Sequence, residues 1–147
     1  MIAYVDASAL VKLLVAEDGG ADTATLWDGA DLLVSSRLSH PEVCAALAAA
    51  RRAGRIQPDH EAEARTWWQD LSSSLHVVEL SDEVSSLAGE LAEAHPLGGA
   101  DAIHLASALV LDSSSAELVL ATWDRRLAAG ARSEGLAVFP ARWICDQ

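Results

Sequence analysis

Short apolar runs of strand type alternate with helical segments along this chain, and this alternation constrains its fold more than any other feature. The first run is Ile2–Val5, and a helical pattern over 7–16 follows it directly. Further strands are predicted at 32–34, 75–80, 118–122 and 137–139, and further helices at 21–28, 38–53, 58–71, 81–94, 98–109 and 125–131. The pattern therefore predicts an α/β fold with a central, mainly parallel sheet.

Size and composition indicate one globular domain that spans residues 1–147. The chain is 51% hydrophobic and 22% charged, which is enough apolar material for a single core. No apolar run approaches the ~18 residues of a membrane span, and the N-terminus lacks the order of a signal peptide, so we expect a cytoplasmic protein without a membrane partner. The two cysteines, Cys44 and Cys145, are expected to be thiols rather than a disulfide framework.

The charge balance is strongly acidic. The chain carries 22 acidic against 10 basic residues, a net charge of −12, and Lys12 is its only lysine. General nucleic-acid binders usually carry an excess of lysine and arginine. The balance instead fits a protein with a cation-loaded acidic pocket or a basic protein partner.

One aspartate stands at the start of the most apolar helical segment. The pair Gly98-Gly99 leads into an alanine-rich helix that carries Asp101 in its first turn. An ionised carboxylate beside an interior element needs a cation or hydrogen-bond donors, because desolvating it alone costs several kcal/mol or more. The neighbours of Asp101 are therefore central to what the chain does.

Three other acids start from the same edge of the predicted sheet. Asp6 follows the first strand, Asp124 follows the strand that ends at Thr122, and Glu42 lies early in the helix after the second strand. Each alone is explained as well by helix capping or solvation. In open α/β sheets, however, ligands bind beyond the carboxyl ends of the strands, and four acids from that edge can meet in one cleft.

Such a cluster predicts a divalent metal. Carboxylates within about 4–6 Å of one another repel, so they are stable together only with protons or a cation. Oxygen ligands without matching His or Cys favour Mg²⁺, or Mn²⁺, over Zn²⁺. Such ions activate water and stabilise the leaving oxygen in phosphodiester hydrolysis. Ser8 and Thr122 are placed to orient the carboxylates.

The sequence resembles the PIN domain family, and within it the VapC toxins of bacterial toxin–antitoxin pairs. The matching segments are Asp6-x-Ser8, Glu42 early in a helix, Gly98-Gly99-Ala100-Asp101-Ala102-Ile103-His104-Leu105-Ala106, and Thr122-Trp123-Asp124-Arg125-Arg126-Leu127. The resemblance covers nearly the whole chain and implies a three-layer α/β/α fold.

The resemblance also implies an activity, a site and partners. It implies a metal-dependent endoribonuclease that cuts structured RNA, is silenced by a VapB-like antitoxin and forms a homodimer. The family's acidic positions fall on Asp6, Glu42, Asp101 and Asp124 as catalytic residues. The first, third and fourth are expected to bind Mg²⁺, with Mn²⁺ as a plausible substitute. The supporting hydroxyls fall on Ser8 and Thr122.

For several other residues we predict a contact or an environment rather than a catalytic role. Arg37, at the entrance to the helix that bears Glu42, is a possible substrate contact. His104 is expected to be a hydrogen-bonded helix histidine, and one residue of the Trp67-Trp68 pair to be core while the other is exposed. Glu61 is among the acids expected on solvated helix faces.

Two alternative functions remain open at this stage. A phosphoaspartyl enzyme also places aspartates at strand ends, but it needs a lysine beside them, and Lys12 is predicted to point along the wrong element. A non-catalytic PIN-like module could instead act with an antitoxin in a DNA-binding repressor complex. All four acids are present in the sequence, and this argues against a module that has lost its catalytic activity.

Overall fold

A computed structural model describes residues 1–15, 18–111 and 117–141. Within them, five strands pair only in parallel: β1 (Ile2–Val5), β2 (Leu32–Ser36), β3 (His76–Val78), β4 (Leu118–Ala121) and β5 (Ala137–Phe139). The helices of this part are α1 (Ala7–Leu14), α2 (Gly20–Gly29), α3 (Ser39–Arg52), α4 (Pro58–Ser72), α5 (Asp82–Ala94), α6 (Gly99–Leu109) and α7 (Arg125–Ser133). The predicted α/β fold with a parallel sheet is confirmed.

The sheet has a hydrophobic core on each face, which gives three layers. Side chains of a strand alternate between faces, so Val5 of β1 packs with α1, α3 and α4 on one side, where Leu47 is fully buried. Tyr4 packs on the other side with α5, α6 and α7, around Leu105 and Leu127. A strand covered on both faces must be apolar throughout, which explains the unbroken apolar run of β1.

The strand order creates a crevice beside β1. The order is β3-β2-β1-β4-β5, so β1 is hydrogen-bonded to β2 on one side and to β4 on the other. The chain winds outward in opposite directions from these two neighbours, and the connections after β1 and β4 diverge. In sheets of this kind the ligand site lies beyond the carboxyl ends of the strands at such a reversal. Asp6 follows β1 at this point and Thr122 follows β4.

Some element bounds differ from the predicted ones. β2 extends to Ser36, beyond the predicted 32–34, because the Ser35 hydroxyl donates a hydrogen bond to the Val5 carbonyl and lets a polar side chain lie in the core. β3 is shorter than 75–80, as is common for an edge strand. α1 ends at Leu14; Ala16 lies outside the described residues, as does Cys145.

The tryptophan prediction is confirmed and the Glu61 prediction is wrong. Trp68 is 3% exposed and Trp67 is 46% exposed, so the pair is divided between core and surface. Glu61 is buried, because its carboxylate forms ion pairs with Arg51 of α3 and Arg65 of its own helix. None of the helices in the described residues is long and apolar enough to cross a membrane.

Candidate active site

Asp6 is the most buried acid of the site and its orientation is fixed on both oxygens. It ends β1 and caps α1, with Oδ1 accepting the Ala9 N–H at 2.9 Å and the Ser8 hydroxyl at 2.7 Å. Oδ2 accepts the Thr122 hydroxyl at 2.6 Å. Burial raises the pKa of Asp6, and the nearby His104 and these hydroxyls oppose the rise.

Ser8 and Thr122 join the ends of β1 and β4. The Ser8 hydroxyl accepts the Trp123 N–H at 2.8 Å, and the Thr122 hydroxyl accepts the Asp124 N–H at 3.0 Å. The two hydroxyl oxygens lie 3.3 Å apart. Asp124 in turn caps α7 by accepting the Leu127 N–H at 2.9 Å. The helix capping considered from the sequence is therefore present, and it is also what holds these acids at the crevice.

Asp101 faces the other acids from α6. It is half-buried in the first turn of that helix, which Gly98 begins without a side-chain cap. Its pKa is raised by burial first and then by the negative charges of Asp124 and Asp6, with a smaller contribution from Glu42. The four predicted acids therefore lie close enough for their charges to act on one another.

Glu42 is held by a series of two hydrogen bonds that starts at a buried tyrosine of the sheet. The Tyr4 hydroxyl lies 2.8 Å from His104 Nδ1, and His104 Nε2 lies 2.6 Å from Glu42 Oε1. Tyr4 and His104 are almost fully buried, whereas the Glu42 side chain is 34% exposed. Burial of His104 works to lower its pKa, but the hydrogen bond with Glu42 and the surrounding acids outweigh burial and raise it. The prediction of a hydrogen-bonded helix histidine is confirmed.

Two basic residues have neighbours that the sequence does not indicate. Arg37 is exposed and ion-paired with Glu79, and its guanidinium makes no hydrogen bond to the four acids in the described structure. Its role as a substrate contact stays a prediction. Lys12, which was predicted to point along the wrong element, lines a cleft together with Ser8 and Glu42. The period of α1 places residues 8 and 12 on one face, and that spacing was the available signal.

The donor set fits a hard divalent cation. The cluster offers carboxylate oxygens, and a bound cation would relieve the repulsion that, after burial, raises the pKa of Asp101. In the parts of the chain that are described, no three His, Cys, Asp or Glu side chains could hold a metal ion by themselves. Mg²⁺ typically takes one or two carboxylates and completes its shell with water and substrate phosphate. Direct coordination by Asp6, Asp101 and Asp124 together stays a prediction.

Comparison with known proteins identifies the family. The PIN domain family model matches residues 3–133. Ribonuclease VapC45 and ribonuclease VapC49, from two strains of Mycobacterium tuberculosis, are each 49% identical to the chain over 141 residues, 96% of both lengths. The crystal structure of VapBC2 from Rickettsia felis bound to a promoter DNA fragment has a TM-score of 0.65 at 14% identity, covering 94% of this chain and 97% of that one. The chain thus belongs to the PIN domain family.

Proposed function

We propose that this chain is a divalent-metal-dependent endoribonuclease and the toxin of a type II toxin–antitoxin pair. One observation carries the proposal: besides burial, the charges of Asp124, Asp6 and Glu42, which come from three other elements, raise the pKa of Asp101. Two proteins that share half of its residues over nearly their whole length are named ribonucleases. The match over residues 3–133 supports treating the chain as one PIN-like domain.

Asp6, Asp101 and Asp124 would hold the cation, with Mg²⁺ as the expected ion and Mn²⁺ as a substitute. When bound, such an ion lowers the pKa of a water and stabilises charge on the leaving oxygen. The protein's own contribution is orientation. Ser8 and Thr122 donate to opposite oxygens of Asp6, so its carboxylate cannot rotate when substrate arrives.

Glu42 is suited to accept a proton from the attacking water. Its Oε1 is engaged by His104 Nε2, and its side chain remains 34% exposed. A general base must be fixed in place and must reach the water, and this arrangement meets both requirements. Asp6 is unsuited to the phosphoaspartyl alternative, because it is 4% exposed and both of its oxygens already accept hydrogen bonds.

Cleavage of RNA by the purified chain tests the proposal. We expect cleavage in Mg²⁺ or Mn²⁺, none in EDTA, and none from Asp6→Ala or Asp101→Ala variants that retain the wild-type circular dichroism spectrum. Asp22→Asn, an exposed acid in the first turn of α2, is the matched control and should cut normally. Cleavage by either site variant at the wild-type rate would refute the assignment. Sequencing the 5′ ends of cellular RNA after induced expression would then identify the substrate.

The expected protein partner is a VapB-like antitoxin. A basic, arginine-containing segment that enters the acidic cluster would displace the cation and silence the enzyme electrostatically. An Arg→Ala change in that segment should release activity, whereas unchanged inhibition would refute this mode. The Rickettsia felis pair is solved on DNA from its promoter, which favours a second role for such a pair as a repressor. The homodimer and the cytoplasmic location stay predictions.

A further inference from the structure

A cleft between α1 and α3 adjoins the acid cluster through Ser8 and Glu42. It has a volume of about 440 Å³, and Ser8 and Glu42 form part of its lining. Ser8 donates to Asp6, and Glu42 is held by His104, so both residues belong to the acid cluster as well. We call this space, which Lys12, Arg55 and Trp123 also line, the α1–α3 cleft. A substrate bound at the cluster would extend into it.

The lining of the α1–α3 cleft includes two of the few cations in this acidic chain. The protein has a net charge of −12 and one lysine. That lysine, Lys12, lines the cleft together with Arg55 and Glu42. Two cations beside an acidic cluster would attract the phosphates that flank a bound metal site. Lys12 and Arg55 therefore offer a place for RNA phosphates on a chain that is acidic overall.

The walls of the cleft suit a ribose or a base. Ala46 and Ala49 of α3 present only methyl groups, and the Trp123 indole closes the space from the β4 side. That indole is held in place: it packs edge-to-face on Phe139, with ring centroids 6.0 Å apart, and against Gly19. A Cβ at Gly19 would lie 2.7 Å from the ring, and φ there is +97°. Fixed aromatic rings are the usual stacking partners of unpaired bases.

We propose that the α1–α3 cleft binds the nucleotide of the RNA substrate that adjoins the scissile phosphate. Lys12 and Arg55 contact its phosphates, and the alanine floor with Trp123 receives its ribose and base. The inference rests on the proposed ribonuclease function and adds the surface that holds the substrate. A basic antitoxin segment fits this cleft less well, because Lys12 and Arg55 would repel it.

Binding of a fluorescein-labelled RNA hairpin to metal-free protein tests the cleft without cleavage. We expect Lys12→Ala and Arg55→Ala each to weaken binding about tenfold and to reduce the salt dependence, log Kd against log salt, by about 0.7. Lys12→Arg should restore both. Ala49→Leu fills the cleft from an exposed helix position and should weaken binding while leaving the salt slope unchanged. Arg52→Ala, an exposed cation at the end of the same helix, is the control.

Steady-state cleavage separates this inference from the proposed function. Lys12→Ala should raise KM and leave kcat close to wild type. Wild-type affinity in Lys12→Ala, Arg55→Ala and Ala49→Leu would overturn the cleft while the nuclease proposal stands, and so would variants that weaken only antitoxin inhibition. No RNA binding by the wild type would also overturn it. A wild type that cuts no RNA in any divalent metal would refute the nuclease proposal, and loss of RNA affinity in the three variants would then support the cleft as an RNA-binding surface only.

Discussion

At the scale of single residues, His104 links the core of the sheet to the acid cluster. The Glu42 carboxylate can only accept, so the proton of a neutral His104 must lie on Nε2, and Nδ1 then accepts from the Tyr4 hydroxyl. Burial raises the pKa of Tyr4 far above its ordinary value, so the phenol keeps its proton. When His104 is neutral, both hydrogen bonds therefore run in the same direction: Tyr4 donates to His104, and His104 donates to Glu42.

Removing the imidazole should impair catalysis more than folding. His104→Leu leaves Glu42 without its donor and Tyr4 without its acceptor, and we expect kcat to fall about 10- to 100-fold. His104→Gln, which can still donate to Glu42, should recover part of that loss. Unpaired buried groups should also lower the free energy of unfolding by about 1–3 kcal/mol. Equal kcat in the Leu and Gln variants would contradict the positioning role.

The raised pKa of His104 predicts that metal-free protein loses stability as pH rises. The folded state holds the proton more tightly than the unfolded chain does, whose histidine has a pKa of about 6.5. The resulting stability is fully present below pH 6.5 and is lost as pH passes through the folded-state pKa. Urea unfolding in EDTA from pH 6 upward measures it. His104→Gln should flatten the slope, and the same slope in that variant would assign it to Asp6 and Asp101 instead.

At the scale of elements, Glu61 connects two helices. Burial works to raise its pKa, but the hydrogen bond from Arg65 and the charge of Arg51 outweigh burial and lower it. Its carboxylate thereby joins the end of α3 to the first turns of α4. A buried carboxylate with two guanidinium partners is costly to disrupt on one side only.

Glu61→Gln should therefore destabilise the protein at neutral pH. Glu63→Gln, an exposed acid on the same helix, is the control and should leave Tm nearly unchanged. Because the folded-state pKa of Glu61 is lowered, its contribution is present above pH 4.5 and disappears as pH falls through the folded-state value. The Tm difference between wild type and Glu61→Gln should shrink on acidification. A difference that persists at low pH would assign the effect to packing.

The elements themselves could be predicted from the sequence, because hydrophobic period and capping residues are local signals. Ser81, for example, is a typical capping residue, and it caps α5 by accepting the Val84 N–H. The α3 residues beside Glu61 and Lys12 could not be predicted, because local signals do not show which helices pack together. The extension of β2 could not be predicted for the same reason: Ser35 is polar, and its buried hydroxyl is satisfied by the Val5 carbonyl and the Ser39 hydroxyl.

At the scale of the whole molecule, the fold brings like charges together before any cation arrives. Asp6 and Asp124 are fixed by helix capping, so neither can move away without disturbing its helix, and Asp101 faces them from the first turn of α6. The hydrophobic cores on the two faces of the sheet hold these helix ends in place. The cluster is therefore expected to lower the stability of the metal-free protein, a cost that is common at the active sites of enzymes.

Asp101→Asn should consequently make the metal-free protein more stable while abolishing cleavage. It removes one charge from the cluster, so we expect a higher Tm than wild type in EDTA. Wild type should gain about 2.7 kcal/mol when Mg²⁺ is present at 100 times its Kd, and the variant much less. Asp59→Asn, an exposed acid in the first turn of α4, matches both the net charge and the helix position. Equal stabilisation by Asp59→Asn would show that the gain comes from the total charge of −12 rather than from repulsion at the crevice.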